Sequence, residues 1–326
     1  MLLYSVISPY FVPVGASKRV NAGDGFILDS ATKLIGSSPA HAFSSWSPIT
    51  NEDLEKINST SFLAVVGANS LKDDFNITPN FDIRLIEKIT VPIFLFGLGH
   101  YGISSATQGL SPQSKTIFSA ILERTPYISV RCEESRNYLS KSLPEFSDRI
   151  LVTSCPVVFP VDGIDRGFNR RMNYNSVVLT ITDRCLVEEQ LPMFGFVKKL
   201  FPSQQYIVAF HQNYGNAKLY EFSRRAGFDV FISDRYQDFL SLYALCDVHF
   251  GNRVHAHLKC LSYGTLSFCA PFDLRQQYFA ESLGFPLVSA MNSDIIFTYD
   301  FAEFRNCRNR YISSLEKFIQ SFPSWR

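Results

Sequence analysis

An arginine and a histidine two residues apart are the side chains in this sequence that best suit chemistry on an anion. They are Arg253 and His255, in the segment GNRVHAHL at residues 251–258. A guanidinium binds a carboxylate or a phosphate through paired hydrogen bonds, and an imidazole can transfer a proton near neutral pH. We therefore predict an anion site, with Arg253 and Asn252 as binding residues and His255 as a phosphate contact or acid. In the alternative, His255 and His257 only cap the helix that follows.

A second candidate group lies near the start of the chain. Asn21 and Asp24 belong to the sequence NAGD at residues 21–24, and residues 26–35 then show the apolar spacing of a helix. The N-terminus of a helix has free N–H groups, and a glycine allows a ligand to approach the backbone. Asp24 is therefore a candidate base. Asn21 is a candidate binding residue for the substrate that gives up a proton to that base, here called the acceptor. Helix capping alone is an equal alternative for both.

The sequence GLGHYG at residues 97–102 matches the glycine spacing of dinucleotide-binding loops, but its surroundings do not. Gly109 and Pro112 break the helix that should follow the last glycine. The next predicted strand ends in Arg131, where a dinucleotide-binding fold needs an acidic residue for the ribose. We therefore do not expect NAD as a cofactor.

The same loop is still a candidate site for another ligand. A glycine at the end of a strand lets a ligand approach the backbone closely, so we predict that Gly99 and Tyr101 contact the acceptor. His100 lies between them in the sequence and is a second candidate for the base.

Two further arginines lie where predicted strands end. Arg131 ends one strand and opens a helix. We predict that it binds an anionic group of the second substrate, here called the donor. A surface pair with Glu134 or Asp148 is the alternative. Arg275 lies in the loop after another strand, two residues beyond Asp273, and we predict that it binds the donor as well.

Short apolar runs, most of them followed by a stretch of helical length, occur in both halves of the chain. Strands that alternate with helices at this spacing predict a parallel sheet covered on both faces. Ligands of such sheets bind at the carboxyl ends of the strands, where most of the candidate residues lie. The runs are at residues 2–6, 62–66, 93–96, 127–130, 150–152, 177–181, 206–210, 230–232, 248–250 and 266–269.

We predict an α/β protein with two doubly wound, Rossmann-like domains that face a cleft. The first domain spans residues 1–160 on the acceptor side, and the second spans residues 176–300 on the donor side. Residues 161–175 are polar and rich in asparagine and arginine, so they are predicted to be a linker. Residues 301–326 carry a helical apolar stripe and are predicted to pack back on the first domain.

The composition argues against several classes of function. The chain has 31 Lys and Arg against 30 Asp and Glu, so no net field attracts a nucleic acid. The seven cysteines contain no C-x-x-C pair, which argues against a zinc site and a disulfide framework. The same cysteine usage favours a reducing compartment, and we expect chemistry without a metal.

The start of the chain, MLLYSV, is apolar but has no cationic residue, so it is predicted to be a first strand rather than a signal peptide. We find no apolar window of about 18 residues, the length that a membrane span needs. We therefore predict a cytoplasmic protein. Basic residues at 170–171 and 305–310 leave peripheral contact with the inner face of the membrane as an open alternative.

Taken in order, these segments resemble the polysaccharide pyruvyl transferase family. The most distinctive is G-x-R-x-H-A-x-L at residues 251–258, and together they cover most of the chain. One departure is Arg275, which stands where many members have lysine. The other segments are N-x-G-D at residues 21–24, a glycine-rich loop at 96–102, S-V-R-x-x-x-S at 129–135, C-P-V-x-F at 155–159 and G-T-x-S at 264–267.

The resemblance implies a glycosyltransferase B-like fold. It also implies a pyruvyl transferase that moves the enolpyruvyl group of phosphoenolpyruvate onto a hexose of a polysaccharide or its lipid-linked precursor, forming a pyruvate ketal. Phosphoenolpyruvate is then a co-substrate, and no cofactor is implied. The alternative is a glycosyltransferase that uses a sugar nucleotide in cell-surface glycan synthesis, which the aromatic residues Phe210, Tyr243 and Phe272 leave open. A glycan-binding protein without activity is disfavoured because Arg253 and His255 are both present.

Overall fold

The computed structural model describes residues 3–15, 19–67, 70–100, 109–182 and 187–323. The chain divides into two compact units, and neither is continuous in sequence. The first unit comprises Met1–Ala16, Ile27–Pro156 and Asn306–Arg326. The second comprises Ser17–Phe26 and Val157–Arg305.

In its described residues, the first unit contains six strands and most of the helices that precede residue 150. The strands are β1 (Ser5–Ser8), β2 (His41–Ser44), β3 (Leu63–Val66), β4 (Ile93–Phe96), β5 (Ile128–Val130) and β6 (Ile150–Val152). The helices are α1 (Ala22–Ile35), which begins in the second unit, α2 (Asn51–Asn58), α3 (Ile83–Lys88), α4 (Pro112–Arg124) and α5 (Glu133–Ser142), with 3₁₀ segments at Pro144–Arg149 and Pro156–Val158.

Five strands occur in the part of the second unit that the structure describes. They are β7 (Tyr174–Ile181), β8 (Ser203–Phe210), β9 (Asp229–Ile232), β10 (Val248–Gly251) and β11 (Leu266–Cys269). Its helices are α6 (Val187–Leu200), α7 (Ala217–Arg225), α8 (Tyr236–Leu245), α9 (Val254–Ser262), α10 (Leu274–Leu283) and α11 (Ile295–Thr298), with a 3₁₀ segment at Ala290–Asn292. Two helices follow at the end of the chain, α12 (Phe301–Asn309) and α13 (Ile312–Gln320).

The sheet of the first unit has the strand order β2-β1-β3-β4, and its neighbouring strands are parallel. Strands β5 and β6 form a parallel pair, and a bridge between Leu98 and Val130 connects that pair to the end of β4. All four residues of β1, β3 and β4 are buried. Apolar strands buried on both faces are what a doubly wound sheet requires.

The sheet of the second unit has the order β11-β10-β7-β8-β9, again with parallel neighbours. The chain runs outward from β7 through β8 to β9, and then returns to the other side of β7 for β10 and β11. The strand order therefore reverses between β7 and β10. In open α/β sheets the ligand crevice lies outside the carboxyl ends of the strands at such a reversal.

The predicted α/β class with two Rossmann-like domains is confirmed, and each predicted apolar run overlaps a strand of the structure. The exception to the sequence pattern is β2, which the apolar runs did not indicate. This strand is at the edge of the sheet, and within it only Phe43 is buried. A short edge strand with polar residues lacks the apolar signal of the central strands.

The polar segment predicted as a linker, residues 161–175, lies within the second unit. Its Asp162 forms an ion pair with Lys259, a lysine of α9 with no exposed surface. The backbone N–H of Arg166 donates to the carbonyl of Tyr263 at 2.9 Å. A buried lysine needs a partner for its charge, which explains why this polar segment is held against α9.

The end of the chain packs into the first unit through aromatic side chains. The ring of Phe322 stacks on Phe62 at 4.9 Å and lies 4.5 Å from Phe94. Phe318 of α13 contacts Phe96 of β4 at 5.1 Å. No helix in the described part of the chain is both long and apolar enough to cross a membrane.

Candidate functional site

The junction between β10 and α9 lies at the strand reversal of the second unit. Gly251, the last residue of β10, is opposite Thr180 of β7. A Cβ atom at Gly251 would lie 2.0 Å from the carbonyl oxygen of Thr180, so this spacing requires glycine. The N–H of Asn252 then donates to the same carbonyl at 3.1 Å. These contacts place Arg253 directly after the end of the sheet.

Arg253, which lies between β10 and α9, forms hydrogen bonds with two other segments of the second unit. Its Nη2 donates to Oδ1 of Asn21 at 3.0 Å and to Oε1 of Gln212 at 3.3 Å. Asn21 immediately precedes α1, and Gln212 follows β8 by two residues. The Arg253 side chain is half-buried. The guanidinium is thus held in a defined position at the strand ends, as a binding site for an anion requires.

Asn21 caps α1 and also orients Asp24. Its Oδ1 accepts from the N–H of Gly23 at 3.2 Å, and its Nδ2 donates to Oδ2 of Asp24 at 3.0 Å. Asp24 itself lies in the first turn of the helix. Of the two candidate caps, Asn21 therefore occupies the capping position, and the Asp24 carboxyl is directed by an amide that also contacts Arg253.

The carboxyl of Asp24 holds its proton more tightly than an aspartate in water. Burial raises its pKa, while the hydrogen bond from Asn21 and the charges of Arg253 and Arg275 oppose that rise. A carboxyl with a raised pKa exchanges protons closer to neutral pH. Such a group is suited to general acid–base chemistry.

His255 lies in the first turn of α9 and packs against the start of α1. A Cβ atom added at Gly23 would lie 3.1 Å from Nδ1 of His255, so glycine allows the imidazole to approach the backbone. The ring also contacts Phe279 in a T-shaped arrangement, with centroids 6.5 Å apart. His255, Asp24 and Arg253 therefore surround the same helix start.

Asn252 and Arg275 have partners within the second unit. The buried Asn252 donates from Nδ2 to Gln190 at 3.4 Å, and its carbonyl accepts from Gln276 at 2.9 Å. Arg275 binds the carboxylate of Asp273, which also caps α10. A donor anion at Arg275 would have to compete with this carboxylate. The contacts of Asn252 fix the loop after β10.

Arg131 is the centre of a polar cluster in the first unit. It follows β5 and is only 4% exposed. Its Nη2 donates to the carbonyl of His100 at 3.2 Å. A Cβ atom at Gly99 would lie 1.9 Å from Cζ of Arg131, so the guanidinium rests directly on this glycine. Gly99 is thus required to seat the arginine.

His100 lies beside Arg131 and shares its surroundings with Tyr138 and Asp73. Burial and the charge of Arg131 lower the pKa of His100, and Asp73 opposes this effect. The His100 ring packs on Tyr138 at 4.6 Å, and the Tyr138 hydroxyl donates to Asp73 at 2.6 Å. The imidazole is therefore neutral near pH 7, as a proton acceptor must be. Tyr101, the remaining candidate of this loop, lies outside the described residues.

Gln212 and His211 are the site neighbours that the sequence analysis missed. Both follow the apolar run of β8, where the rule of strand ends would have indicated them. The carbonyl of His211 accepts from the N–H of Ala22 at 3.0 Å.

Among the described residues, no three His, Cys, Asp or Glu side chains form a group that could hold a metal ion.

Two units with doubly wound parallel sheets define the fold class of B-type glycosyltransferases and sugar epimerases. The chain is similar to the UDP-GlcNAc 2-epimerase from Neisseria meningitidis in a structure bound to UDP-GlcNAc, with 13% identity and a TM-score of 0.51 over 97% of this chain and 94% of that one. It is also similar to the UDP-N-acetylglucosamine 2-epimerase from Rickettsia bellii, with 10% identity and a TM-score of 0.52 over 100% and 97% of the two chains. These identities are evidence for the fold alone.

The family follows from the sequence itself. Residues 21–269 match the model of the polysaccharide pyruvyl transferase family, so the chain belongs to this family of transferases. The matched range begins at Asn21 and includes Arg131, Arg253 and His255. A comparison with curated protein sequences found no significant match.

Proposed function

We propose that this protein transfers the enolpyruvyl group of phosphoenolpyruvate to a hexose of a polysaccharide or its lipid-linked precursor and forms a pyruvate ketal. The observation that carries the proposal is the position of Arg253 at the strand reversal of the second unit, where it bonds to Asn21 and Gln212. Family membership supports a pyruvyl transfer, and the guanidinium suits a donor with a carboxylate and a phosphate.

The proposed reaction uses two hydroxyls of the sugar. One proton goes to the methylene carbon of phosphoenolpyruvate, which becomes a methyl group, and a sugar hydroxyl oxygen bonds to the neighbouring carbon. The bond from that carbon to the phosphate oxygen breaks, and a second hydroxyl completes the ketal. Of the two hydroxyl protons, one balances the methyl group and the other leaves on the phosphate.

We assign the roles in the second unit from their surroundings. Arg253 binds the donor carboxylate or phosphate, with Asn252 and Arg275 as further donor-binding residues. His255 contacts the phosphate or supplies the proton to the methylene carbon, because imidazole serves both purposes near neutral pH. Asp24 accepts a hydroxyl proton, which is consistent with its raised pKa.

The residues of the first unit keep the roles that the sequence predicted. Arg131 is proposed to bind the donor, and His100 is the second candidate for the base. Gly99 and Tyr101 are proposed to contact the acceptor, as is Asn21 of the second unit. The neutral imidazole of His100 supports its assignment as a proton acceptor, because an imidazolium could not take up a proton.

We also propose that the protein works in the cytoplasm, with contact to the inner face of the membrane where its acceptor is lipid-linked. The six cysteines that the structure describes are free thiols, which suits a reducing compartment. The proposed chemistry needs no cofactor and no metal ion.

Thermal denaturation with candidate donors tests this function. A ligand that binds only the native state raises the melting temperature, because it stabilises that state by an amount that grows with the logarithm of the ligand concentration relative to Kd. We expect phosphoenolpyruvate to stabilise the protein and sugar nucleotides such as UDP-GlcNAc to have no effect. Stabilisation by a sugar nucleotide and none by phosphoenolpyruvate would favour the glycosyltransferase alternative. Detection of a ketal on a hexose acceptor by mass spectrometry then identifies the product.

A further inference from the structure

Six buried polar side chains in the second unit form one continuous chain of hydrogen bonds. Each is at most 2% exposed. In order they are His211, Tyr243, Thr180, His249, Ser267 and His257, and the successive donor–acceptor distances are 2.7, 2.9, 3.1, 2.8 and 2.8 Å. The chain crosses the sheet from the turn after β8, through β7 and β10, to α9. No function has been assigned to it above.

The number of protons restricts this chain to two arrangements. A hydroxyl has one proton, and a neutral imidazole has one proton on either of its two nitrogens. Each of the four inner groups makes two hydrogen bonds. The neutral imidazole of His249 must donate in one and accept in the other. The hydroxyls of Tyr243, Thr180 and Ser267 have no other acceptor among the described residues, so each of them also donates in one bond and accepts in the other. The five bonds therefore all point in the same direction, either toward His211 or toward His257.

The three imidazoles are neutral, as this count requires. Burial lowers the pKa of His249 to about 3. Burial also lowers the pKa of His257, with a contribution from His249, and that of His211, with contributions from Arg253, His249 and His255. An imidazolium ion in this region would lack the solvation that water provides.

The far end of the chain decides its direction. Nε2 of His257 is buried and has no hydrogen-bond partner in the part of the molecule that the structure describes. A buried N–H without an acceptor is rarer in proteins than a buried acceptor without a donor. The proton of His257 therefore lies on Nδ1 and points to Ser267. All five bonds then point toward His211, so Nε2 of His211 accepts from Tyr243 and its own proton lies on Nδ1.

His211 is tied to the residues around Arg253. Its carbonyl accepts from Ala22, the residue after Asn21, and the next residue, Gln212, accepts from Arg253. Its ring lies edge-on to Phe26 at 5.2 Å and to Phe239 at 5.0 Å. An imidazole that packs against two aromatic rings and is bonded at one nitrogen has a fixed orientation, and the turn that carries Gln212 is fixed with it.

We propose that the buried hydrogen-bond chain holds the ring proton of His211 on Nδ1 and thereby makes His211 a positioning residue for Arg253 and Asn21. The proposal goes beyond the assigned donor and acceptor contacts. It holds for any anion that Arg253 binds.

Nitrogen-15 NMR of the full chain with labelled histidines tests the direction. We expect a protonated, pyrrole-type nitrogen at Nδ1 of His211, at Nε2 of His249 and at Nδ1 of His257, with a pyridine-type nitrogen at the other ring position of each. Single histidine-to-glutamine variants assign the signals. The opposite pattern on all three rings, or mixed tautomers, would overturn the proposal.

Tyr243→Phe tests the positioning role. It removes the hydrogen bonds to His211 and Thr180 and keeps the aromatic ring, so we expect mixed tautomers at His211 and an affinity for phosphoenolpyruvate about 3- to 10-fold lower. Tyr206→Phe is the control, because it also removes both hydrogen bonds of a tyrosine hydroxyl in this unit, to the carbonyl of Phe201 and from the N–H of Ser203. We expect a lower melting temperature for Tyr243→Phe, because its two partners are buried, and unchanged affinity for the control.

Equal affinities in the two variants would show that His211 does not position Arg253. If the wild-type protein binds neither phosphoenolpyruvate nor inorganic phosphate, the proposed function fails. The NMR pattern still decides the direction of the chain in that case. The two proposals can therefore be rejected separately.

Discussion

Arg131 and Arg253 occupy equivalent local positions in the two units but different positions in the topology. Each follows a parallel strand and precedes a helix, β5 and α5 for the first, and β10 and α9 for the second. Arg253 lies at the strand reversal between β7 and β10. In the first sheet the order reverses between β1 and β3, and Arg131 lies outside that reversal, beyond β4. The same strand–arginine–helix pattern therefore does not by itself identify a ligand site.

The partners of the two arginines differ accordingly. Arg131 is buried and donates to a backbone carbonyl, that of His100. Arg253 is half-buried and donates to the side-chain amides of Asn21 and Gln212. A buried carbonyl that loses its donor is left unsatisfied, whereas the half-buried guanidinium of Arg253 is partly accessible to a ligand. We expect Arg131 to contribute more to stability and Arg253 more to binding.

The largest expected effect concerns His255. If it supplies the proton, His255→Ala lowers the turnover rate on the order of 10²–10⁴ while the affinity for phosphoenolpyruvate stays within a few-fold. Steady-state kinetics and calorimetry measure the two quantities. His100→Ala is the counterpart in the first unit. Normal turnover in His255→Ala would exclude His255 as the proton donor. Loss of turnover in His100→Ala alone would instead assign the proton transfer to His100 of the first unit.

The next effect separates the two arginines. Arg253→Ala should weaken phosphoenolpyruvate binding by about 2–4 kcal/mol, because a charge-assisted contact is lost, and change the free energy of unfolding little. Arg131→Ala should lower the free energy of unfolding by about 1–3 kcal/mol as well as donor affinity, because it leaves the buried carbonyl of His100 without this donor. Calorimetry and urea denaturation distinguish them. Equal losses of stability would refute the contrast.

Alanine at the two glycines that seat these clusters should have smaller and unequal effects. Gly99→Ala puts a methyl group onto the guanidinium of Arg131 and should destabilise the protein by about 1–3 kcal/mol. Gly23→Ala brings a methyl group to 3.1 Å from His255 and 3.3 Å from Asn21, which small shifts can relieve. We expect nearly wild-type stability with turnover lowered several-fold. A Gly99→Ala protein as stable as the wild type would show that Arg131 is not fixed.

The smallest effect is a displacement of the pH profile. Because burial raises the pKa of Asp24, its carboxylate is lost as pH falls at a higher pH than for an ordinary aspartate. If Asp24 is the base, the acid limb of turnover lies above the usual range. Asn21→Ala removes a hydrogen bond that lowers this pKa, so the limb should move further upward. Asp73→Asn, which removes a charge that raises the pKa of His100, should leave the limb unchanged. A shift in the second variant only would make His100 the base.

The sequence predicted the central strands because they are continuous apolar runs, and it predicted the strand-end residues because parallel strands end on one edge. It did not predict β2, in which only Phe43 is buried. The sequence also could not show that residues 17–26 belong to the second unit. The contact between Asn21 and Arg253 joins positions 232 residues apart, and no local pattern records such a pairing.

The buried hydrogen-bond chain from His211 to His257 could not be predicted from the sequence for a different reason. His249 interrupts the apolar run of β10, and only its register opposite Val178 of β7 and Ser267 of β11 shows that it is an inner member of a polar network. Gln212 was missed because its side-chain amide is not ionisable and so did not suggest a catalytic role. Its contribution is a hydrogen bond that orients Arg253.

The split of the second unit has a consequence for synthesis. Residues 17–26 leave the ribosome more than 200 residues before Arg253, and they cannot bond to it until β10 and α9 exist. During translation Asn21 therefore lacks its arginine partner while residues 27–252 are made. The contacts of Arg253 can form only late, through the slow closure of a very long loop. The first unit is completed later still, because its last segment is Asn306–Arg326.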